Sequence, residues 1–270
     1  MRNLIVLADY CSDSLAVQEL RSALYGHLST QFSGYVSFVH SSPSTIHTAF
    51  LLHQLLITEQ RLGDPNNLVV FMNTDPRLQV TSRVEKVQES PLVIVRMQSG
   101  AWVYGPNAGY CLSLVQKDIE YLYVYPNQDE KSQFRSRDLY MRIGALLIEE
   151  KEDEMDLEEL KIHNIPALDK FYIGHIDSYG NIKTTIPRSY LKGKYGFGDT
   201  VSVTIGIVTK KAFLVDNIFG KGLDVLVVAP GSSGSVDDPY LEIAVWQHSP
   251  LQSARKFFPA AKPGDEVALA

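Results

Sequence analysis

The sequence predicts an α/β protein in two parts. An N-terminal domain over residues 1–160 is built on a mostly parallel sheet, and a smaller antiparallel β-barrel occupies residues 161–270. Three observations carry that prediction. Apolar runs of strand length alternate with stretches of helical period through the first half of the chain. A charged run, Glu149-Glu150-Lys151-Glu152-Asp153-Glu154-Met155-Asp156, then breaks the pattern and reads as a solvated connection. Beyond it the segments are short, β-rich and separated by glycine and proline turns.

Leu4-Ile5-Val6-Leu7-Ala8 is a continuous apolar run, as a strand buried on both faces requires. Val17, Leu20, Leu24, His27 and Leu28 recur on one helical face. Residues 35–39 read as a second strand, followed by the loop His40-Ser41-Ser42-Pro43 and by Ser44, a residue type that caps helices. Ile46, Ala49, Phe50, His53, Leu56 and Ile57 share a stripe of the helix that Ser44 opens. Residues 68–72 form a third strand ending at Asn73-Thr74-Asp75-Pro76. This order favours parallel strands joined by right-handed crossovers, with ligands beyond the carboxyl ends of the strands. Asp9, Asp13, His40 and Asp75 lie at those ends. Residues 92–97 and 102–104 predict a hairpin about Ser99-Gly100, and residues 121–125 another strand. Residues 137–148 predict a helix with Leu139, Tyr140, Ile143, Leu146 and Leu147 inward. In the second part, residues 201–208, 212–215, 223–229 and 240–246 are the expected strands.

The bulk numbers limit the function. A chain of 270 residues, 45% hydrophobic, can bury the cores of two domains. A net charge of −6, with no basic run interleaved with aromatics, argues against nucleic acid as a partner. No apolar run is long enough to span a membrane, and the N-terminal run is too short for a secretory signal. Cys11 and Cys111 are the only cysteines and suit a reduced, cytoplasmic protein. The seven histidines show no metal-binding spacing, so neither a metal nor another cofactor is expected. Pro230-Gly231-Ser232-Ser233-Gly234-Ser235 lacks the lysine of a phosphate loop and leads to a strand, so it reads as a small-residue turn.

The most informative stretch runs from Gly174 to Ile186. Apolar residues flank a polar turn in which Gly180 can take a positive φ. Asp177 and Asn181 then stand on the two sides of one turn. An acid beside an amide can grip a ligand that carries an ammonium group and a hydrogen-bonding edge. The same residues also make an ordinary hairpin with an Asx-turn.

In order along nearly the whole chain, the motifs resemble those of the S-adenosylmethionine (SAM) hydroxide adenosyltransferases, relatives of the fluorinating and chlorinating enzymes. Ala8-Asp9-Tyr10-Cys11 resembles the family's Thr-Asp-Phe-Gly, and Val36-Ser37-Phe38-Val39-His40 its Val-Asp-x-Thr-His. Thr74-Asp75-Pro76-Arg77-Leu78-Gln79 resembles Val-Asp-Pro-Gly-Val-Gly, and Gly105-Pro106-Asn107-Ala108-Gly109 resembles Gly-Pro-Asp-Asn-Gly. Phe134-Arg135-Ser136-Arg137-Asp138 resembles Phe-His-Gly-Arg-Asp. Ile176-Asp177-Ser178-Tyr179-Gly180-Asn181 is similar to Ile-Asp-x-Phe-Gly-Asn. Ser232-Ser233-Gly234 and Tyr240-Leu241-Glu242-Ile243-Ala244-Val245 are similar to Ser-Ser-Gly-Tyr-Leu-Glu-Ile-Ala-Val, with a short insertion between them.

The resemblance implies an α/β domain followed by a β-barrel domain. It also implies a homotrimer, with each site between the N-terminal domain of one subunit and the C-terminal domain of its neighbour. Asp9 or Asp13 would accept the ribose hydroxyls, and Asn107 would line the substrate site. Tyr179 and Phe219 would sandwich the adenine. Asn181 and the backbone at Tyr240 would read its edge. Asp177, Ser232 and Ser233 would hold the methionine ammonium and carboxylate. Asp75, Arg83, Arg135 and Ser136 would surround the attacking water. The chain departs from the hydrolases there: Arg135 stands where they have histidine, Ser136 where they have glycine, and Arg83 is one residue out of register. The fluorinating relatives also carry a serine at that position, but they lack the carboxylate of Asp75, which would repel a halide. The implied reaction is hydrolysis of SAM to adenosine and methionine by attack of water or hydroxide on the ribose C5′. The alternative is a catalytically inactive binder or sensor of SAM or adenosine.

Overall fold

Burial on both faces turns the first apolar run into a central strand. The computed structural model describes residues 1–74, 90–126, 132–219, 221–246 and 252–270. The chain divides into two units, Met1–Ala167 and Leu168–Ala270. The division falls beyond residue 160, where the charged run places it, because Leu160, Ile162 and Ile165 still pack into the first core.

The first unit runs β1 (Asn3–Ala8), α1 (Ser14–His27), β2 (Val36–His40), α2 (Thr45–Leu62), β3 (Leu68–Asn73), β4 (Leu92–Met97), β5 (Trp102–Pro106), β6 (Ile119–Val124), α3 (Met141–Ile148) and β7 (Glu158–Glu159). These strands form one seven-stranded sheet in the order β2-β1-β3-β5-β4-β6-β7. β1 is parallel to β2 and β3, and β3 is parallel to β5. β4 is antiparallel to β5 and β6, and β6 to β7. The sheet is therefore mixed, which corrects the expectation of a mostly parallel one. The reason lies in the connections. α1 and α2 are long enough to return the chain for a parallel strand, whereas β4 and β5 are joined by a tight hairpin that permits only antiparallel pairing. Gly100, at φ +96°, turns that hairpin.

Alternate side chains of each strand feed two cores. Leu4 and Val6 pack with Leu20, Leu24, Phe71, Leu139 and Ile143, under α1 and α3. Ile5 and Leu7 pack with Leu52, Leu56, Val70 and Met72, under α2. The helix expected over residues 137–148 begins instead as a π-turn, Ser136–Tyr140, that leads into α3.

The second unit contains β8 (Ile173–Ile176), β9 (Ile182–Pro187), β10 (Thr200–Ile205), β11 (Val208–Leu214), β12 (Leu226–Gly234), β13 (Pro239–Val245) and β14 (Val267–Leu269). They form a second seven-stranded sheet in the order β14-β10-β11-β12-β13-β9-β8. Its ends meet: Ile173 N–H donates to Asp265 O at 2.8 Å and Val267 N–H to Phe171 O at 2.9 Å, so the sheet is nearly a closed barrel. Ile173, Ile182, Val201, Val203, Leu214, Val228, Leu241 and Ile243 fill it.

Two sequence expectations change here. Residues 201–208 are not one strand but a hairpin, turned at Gly206 with φ +57°, and β11 pairs parallel with β12, so the sheet is not wholly antiparallel. The glycine- and serine-rich stretch is not a free turn either. It forms the bulged end of β12, with the register against β13 shifting between Pro230 and Gly234.

Candidate functional site

The residues singled out by the sequence fall into two clusters, one in each unit. Asp75 and Arg83 lie outside the described residues.

The first cluster stands at the carboxyl ends of the parallel strands. Asp9 follows β1 directly, and its N–H donates to Asn73 O at 3.4 Å. Asp13 serves the fold: its Oδ1 accepts from Leu15 N at 2.8 Å and Ala16 N at 3.3 Å, capping α1. Ser136 is buried, and its Oγ accepts from Asn73 Nδ2 at 2.7 Å. The same amide nitrogen reaches the Tyr10 hydroxyl at 3.5 Å. The ring of Tyr10 meets Phe134 edge-on, with centroids 5.7 Å apart. Burial drives the Tyr10 phenol well above its ordinary range, against hydrogen bonds from Ser136 and Asn73. Burial likewise pushes the Cys11 thiol up to about 11. The Arg135 guanidinium lies 6.0 Å from the ring centroid of Tyr140.

Beneath the cluster, Ser41, Thr48 and Thr74 join their buried hydroxyls, with Thr48 Oγ1 donating to Thr74 Oγ1 at 2.7 Å. At the end of β5, Asn107 Nδ2 donates to Asn164 O at 3.4 Å, while its Oδ1 is buried with no hydrogen-bond partner.

The second cluster sits on the barrel. The turn between β8 and β9 is an Asx-turn built by Asp177. Its Oδ1 accepts from the N–H groups of Tyr179 and Asn181, each at 3.0 Å, and its Oδ2 accepts from Asn181 Nδ2 at 3.2 Å. Gly180, at φ +80°, completes the turn. A Cβ there would meet Ser253 Oγ at 2.5 Å, so the position needs glycine for space as well as for conformation. Tyr179 at the tip is 69% exposed.

Register places Trp246 at the same end of the barrel, since Ile182 pairs with Ile243 and β13 runs on toward the turn. Phe219, 61% exposed, meets Trp246 edge-on at 5.7 Å. Tyr240 pairs with Pro187, at the far end of β9 from Asn181, so the strands do not bring those two expected adenine contacts together. Ser233 is buried and Ser232 exposed on the bulge of β12.

Sequence reasoning missed what joins this face. Lys183 Nζ bridges Glu242 Oε2 at 2.9 Å and Ser232 Oγ at 3.2 Å, and Glu242 is buried. Its one legible signal was alternation: Lys183 falls between the inward Ile182 and Thr184. Trp246 enters only as the end of an expected strand, and Tyr10 and Asn73 only as members of a motif and of a strand end, without a role of their own.

His175, opposite Lys183 in the register, gives this face a pH dependence. Burial first, then the Lys183 ammonium, lowers its pKa below 6.5, with Asp177 opposing. His53 in the first unit shifts the same way through burial, against Asp118. A histidine with a lowered native pKa binds fewer protons folded than unfolded, so stability present near pH 7 should be lost as pH falls toward 5. Urea midpoints at pH 7.5 and 5.5 should show that loss, and His175→Gln should shrink it. An unchanged loss would remove His175 as its source.

Clefts of about 440 Å³ beside Arg188, Phe197 and Asp237, and about 290 Å³ beside His53 and Asp118, involve none of the residues of either cluster. Among the described residues no group of three or more His, Cys, Asp or Glu side chains could hold a metal ion, and no helix is long and apolar enough to cross a membrane.

No family model and no curated protein matches the chain. Solved structures do. An uncharacterized conserved protein from Thermotoga maritima is 19% identical with a TM-score of 0.73, over 99% of this chain and 100% of that one. A conserved hypothetical protein from Thermus thermophilus is 18% identical with a TM-score of 0.68, over the full length of both. At such identities the likeness shows that the fold is shared from end to end.

Proposed function

We propose that the protein binds SAM and hydrolyses it to adenosine and methionine. The Asp177–Asn181 turn is the observation that carries this reading. An ionised carboxylate has about four acceptor positions. Three are taken by the turn's own N–H groups, which fix the carboxylate in place, and one is left for a substrate ammonium. Asn181 donates to Asp177 through one N–H and keeps its Oδ1 and second N–H for the edge of a base. Tyr179 stands beside them as an exposed aromatic face for adenine, a surface that suits stacking.

In this reading the chain is a homotrimer. Assembly brings the strand-end cluster of one copy to the barrel turn of another, and a fold with nearly closed barrel and mixed α/β units supports the family resemblance. The reaction is in-line attack on C5′. An anionic nucleophile and a sulfonium cation cancel charge as the neutral thioether leaves, and a water-poor site favours that cancellation. A second reading, binding without turnover, is favoured by the chemistry at the strand ends: Tyr10 and Cys11 hold their protons at neutral pH, and a guanidinium such as that of Arg135 offers N–H donors only.

Asp177→Asn tests the ligand. It keeps an oxygen for the turn and removes the charge. SAM should bind weaker by ~2 kcal/mol if the ammonium pair is desolvated, while adenosine should lose little. Titration calorimetry decides it. A wild type that binds neither SAM nor adenosine at millimolar concentration would end the proposal.

A further inference from the structure

We propose that the cleft lined by Arg188, Phe197 and Asp237 on the second unit binds a free α-amino acid with an apolar side chain. The site shares no residue with either cluster and does not depend on SAM hydrolysis.

Two segments build the cleft. After β9 the chain makes a short 3₁₀ turn, Arg188–Leu191, and continues through Phe197. Lys192 N–H donates to Ser189 O at 3.1 Å and Tyr195 N–H to Leu191 O at 3.0 Å, so this segment is internally bonded. The other segment is the short insertion between β12 and β13, which carries Asp237 and Asp238. Asp238 clamps the two together. Its Oδ1 accepts from Ser189 N–H and its Oδ2 from the Ser189 hydroxyl, each at 2.7 Å, while its own N–H donates to Ser235 Oγ at 3.0 Å. Arg188 and Asp237 are the chain neighbours of the two clamped residues, so the clamp limits how far either backbone can move. The enclosed volume is about 440 Å³, within the range of small-molecule sites.

The lining selects the ligand. Leu191 and Leu214 are buried in the barrel core, Tyr195 is half-buried, and the Phe197 ring is exposed. The charged lining is balanced, with Arg188 and Lys192 against Asp237 and Asp238, so a net-neutral ligand matches it better than a simple ion. Asp238 is committed to Ser189. Among the described residues, neither the Arg188 guanidinium nor the Asp237 carboxylate has an ion-pair or hydrogen-bond partner, although both line the same cleft. Arg188 lies instead over the Phe197 ring, 6.0 Å from its centroid. A guanidinium offers paired N–H donors that match a carboxylate, and a free carboxylate accepts from an ammonium. An α-amino acid carries both groups on one carbon, with no net charge. Its carboxylate goes to Arg188, its ammonium to Asp237, and its side chain against Phe197, Tyr195 and Leu191. A polar side chain would lose water at that wall without gaining a partner, so the preferred side chain is apolar.

Ligand-observed NMR titration of the full chain with L-phenylalanine and L-leucine tests the site. Both should bind with a Kd on the order of 1 mM or lower. The charge pairs are open to solvent, so Arg188→Gln and Asp237→Asn should each weaken L-phenylalanine by about fivefold or less. Phe197→Ala should weaken it by about tenfold. Two further probes separate recognition from folding. 3-Phenylpropionate lacks the ammonium, so Asp237→Asn should leave its affinity unchanged while Arg188→Gln lowers it. Phenethylamine lacks the carboxylate, so the pattern should reverse. A variant that merely disturbed the loop would weaken every probe alike, and that outcome would overturn the inference. So would equal affinity of the wild type for the three phenyl probes, or a wild type that binds neither amino acid at ~10 mM.

Discussion

Asp75→Asn should release adenosine from SAM at least about a hundredfold more slowly than the wild type, if its carboxylate takes the proton or orients the water. The other groups at the strand ends are poor candidates for that part. Arg135 occupies the position where the family resemblance implies a histidine, and a guanidinium offers N–H donors and no acceptor. Tyr10 is driven far above neutrality by burial, and the Cys11 thiol is pushed up to about 11, so neither serves as a base near pH 7. In the proposed hydrolysis the carboxylate of Asp75 would then be the base among the matched residues, and an ordinary carboxylate is a weak one. Wild-type turnover should consequently be slow and should rise with pH above neutrality, as hydroxide becomes available beside the Arg135 cation. Chromatography of the products from pH 6 to 10 reads both effects. Equal rates for wild type and Asp75→Asn across that range would remove the enzymatic reading and leave the binder.

Lys183→Met should destabilise the second unit by ~3 kcal/mol. The Lys183 and Glu242 side chains are 15% and 9% exposed, so the pair is largely withdrawn from water. Methionine keeps the apolar stem and removes the charge, leaving a buried carboxylate without its cation. Glu242 has little room to move, since a Cβ at Gly231 would sit 2.8 Å from its Oε2. Replacing both partners by apolar groups is commonly far less costly than removing one. Lys183→Met with Glu242→Leu should therefore recover most of the loss in urea denaturation followed by the fluorescence of Trp246 in a Trp102→Phe background. The single variant should also release Ser232, which Lys183 holds at 3.2 Å, and weaken SAM through its methionine carboxylate. A single variant as stable as the wild type would show that the ion pair is dispensable.

Much of the architecture is local and was legible in the chain. Leu4 to Ala8 had to be a doubly buried strand because no polar residue interrupts it, and Asp177 with Gly180 had to turn because their chemistry permits little else. The capping residue Ser44 opened α2 as its type predicts. Beyond β3 only the hairpin about Ser99-Gly100 made strand direction legible, and it gave the antiparallel pairing of β4 and β5. Apolar run length is the same for parallel and antiparallel neighbours, and only the connections tell them apart. The sequence of residues 201–208 hid a turn because Gly206 sits inside an otherwise strand-like pattern. Asp13 shows the same limit at the candidate site. As a residue type it suits ribose hydroxyls, but its place one residue before α1 commits an oxygen to the helix.

By itself the sequence determined most elements of the first unit, the two-part organisation, the Asx-turn of Asp177 and Asn181, and the charge pattern that argues against nucleic acid. These depend on residues near one another in the chain, where side-chain period and turn chemistry act directly. The tertiary structure alone decided the strand order of the first sheet, the meeting of the barrel's two ends near β8 and β14, and the two groupings of most chemical interest. Asn73 meets Ser136 across 63 positions, and Lys183 meets Glu242 across 59. Such contacts follow from register and burial: a polar side chain enclosed at a strand end or on a covered barrel face must find a partner there, and which partner it finds depends on the strand that packing places beside it.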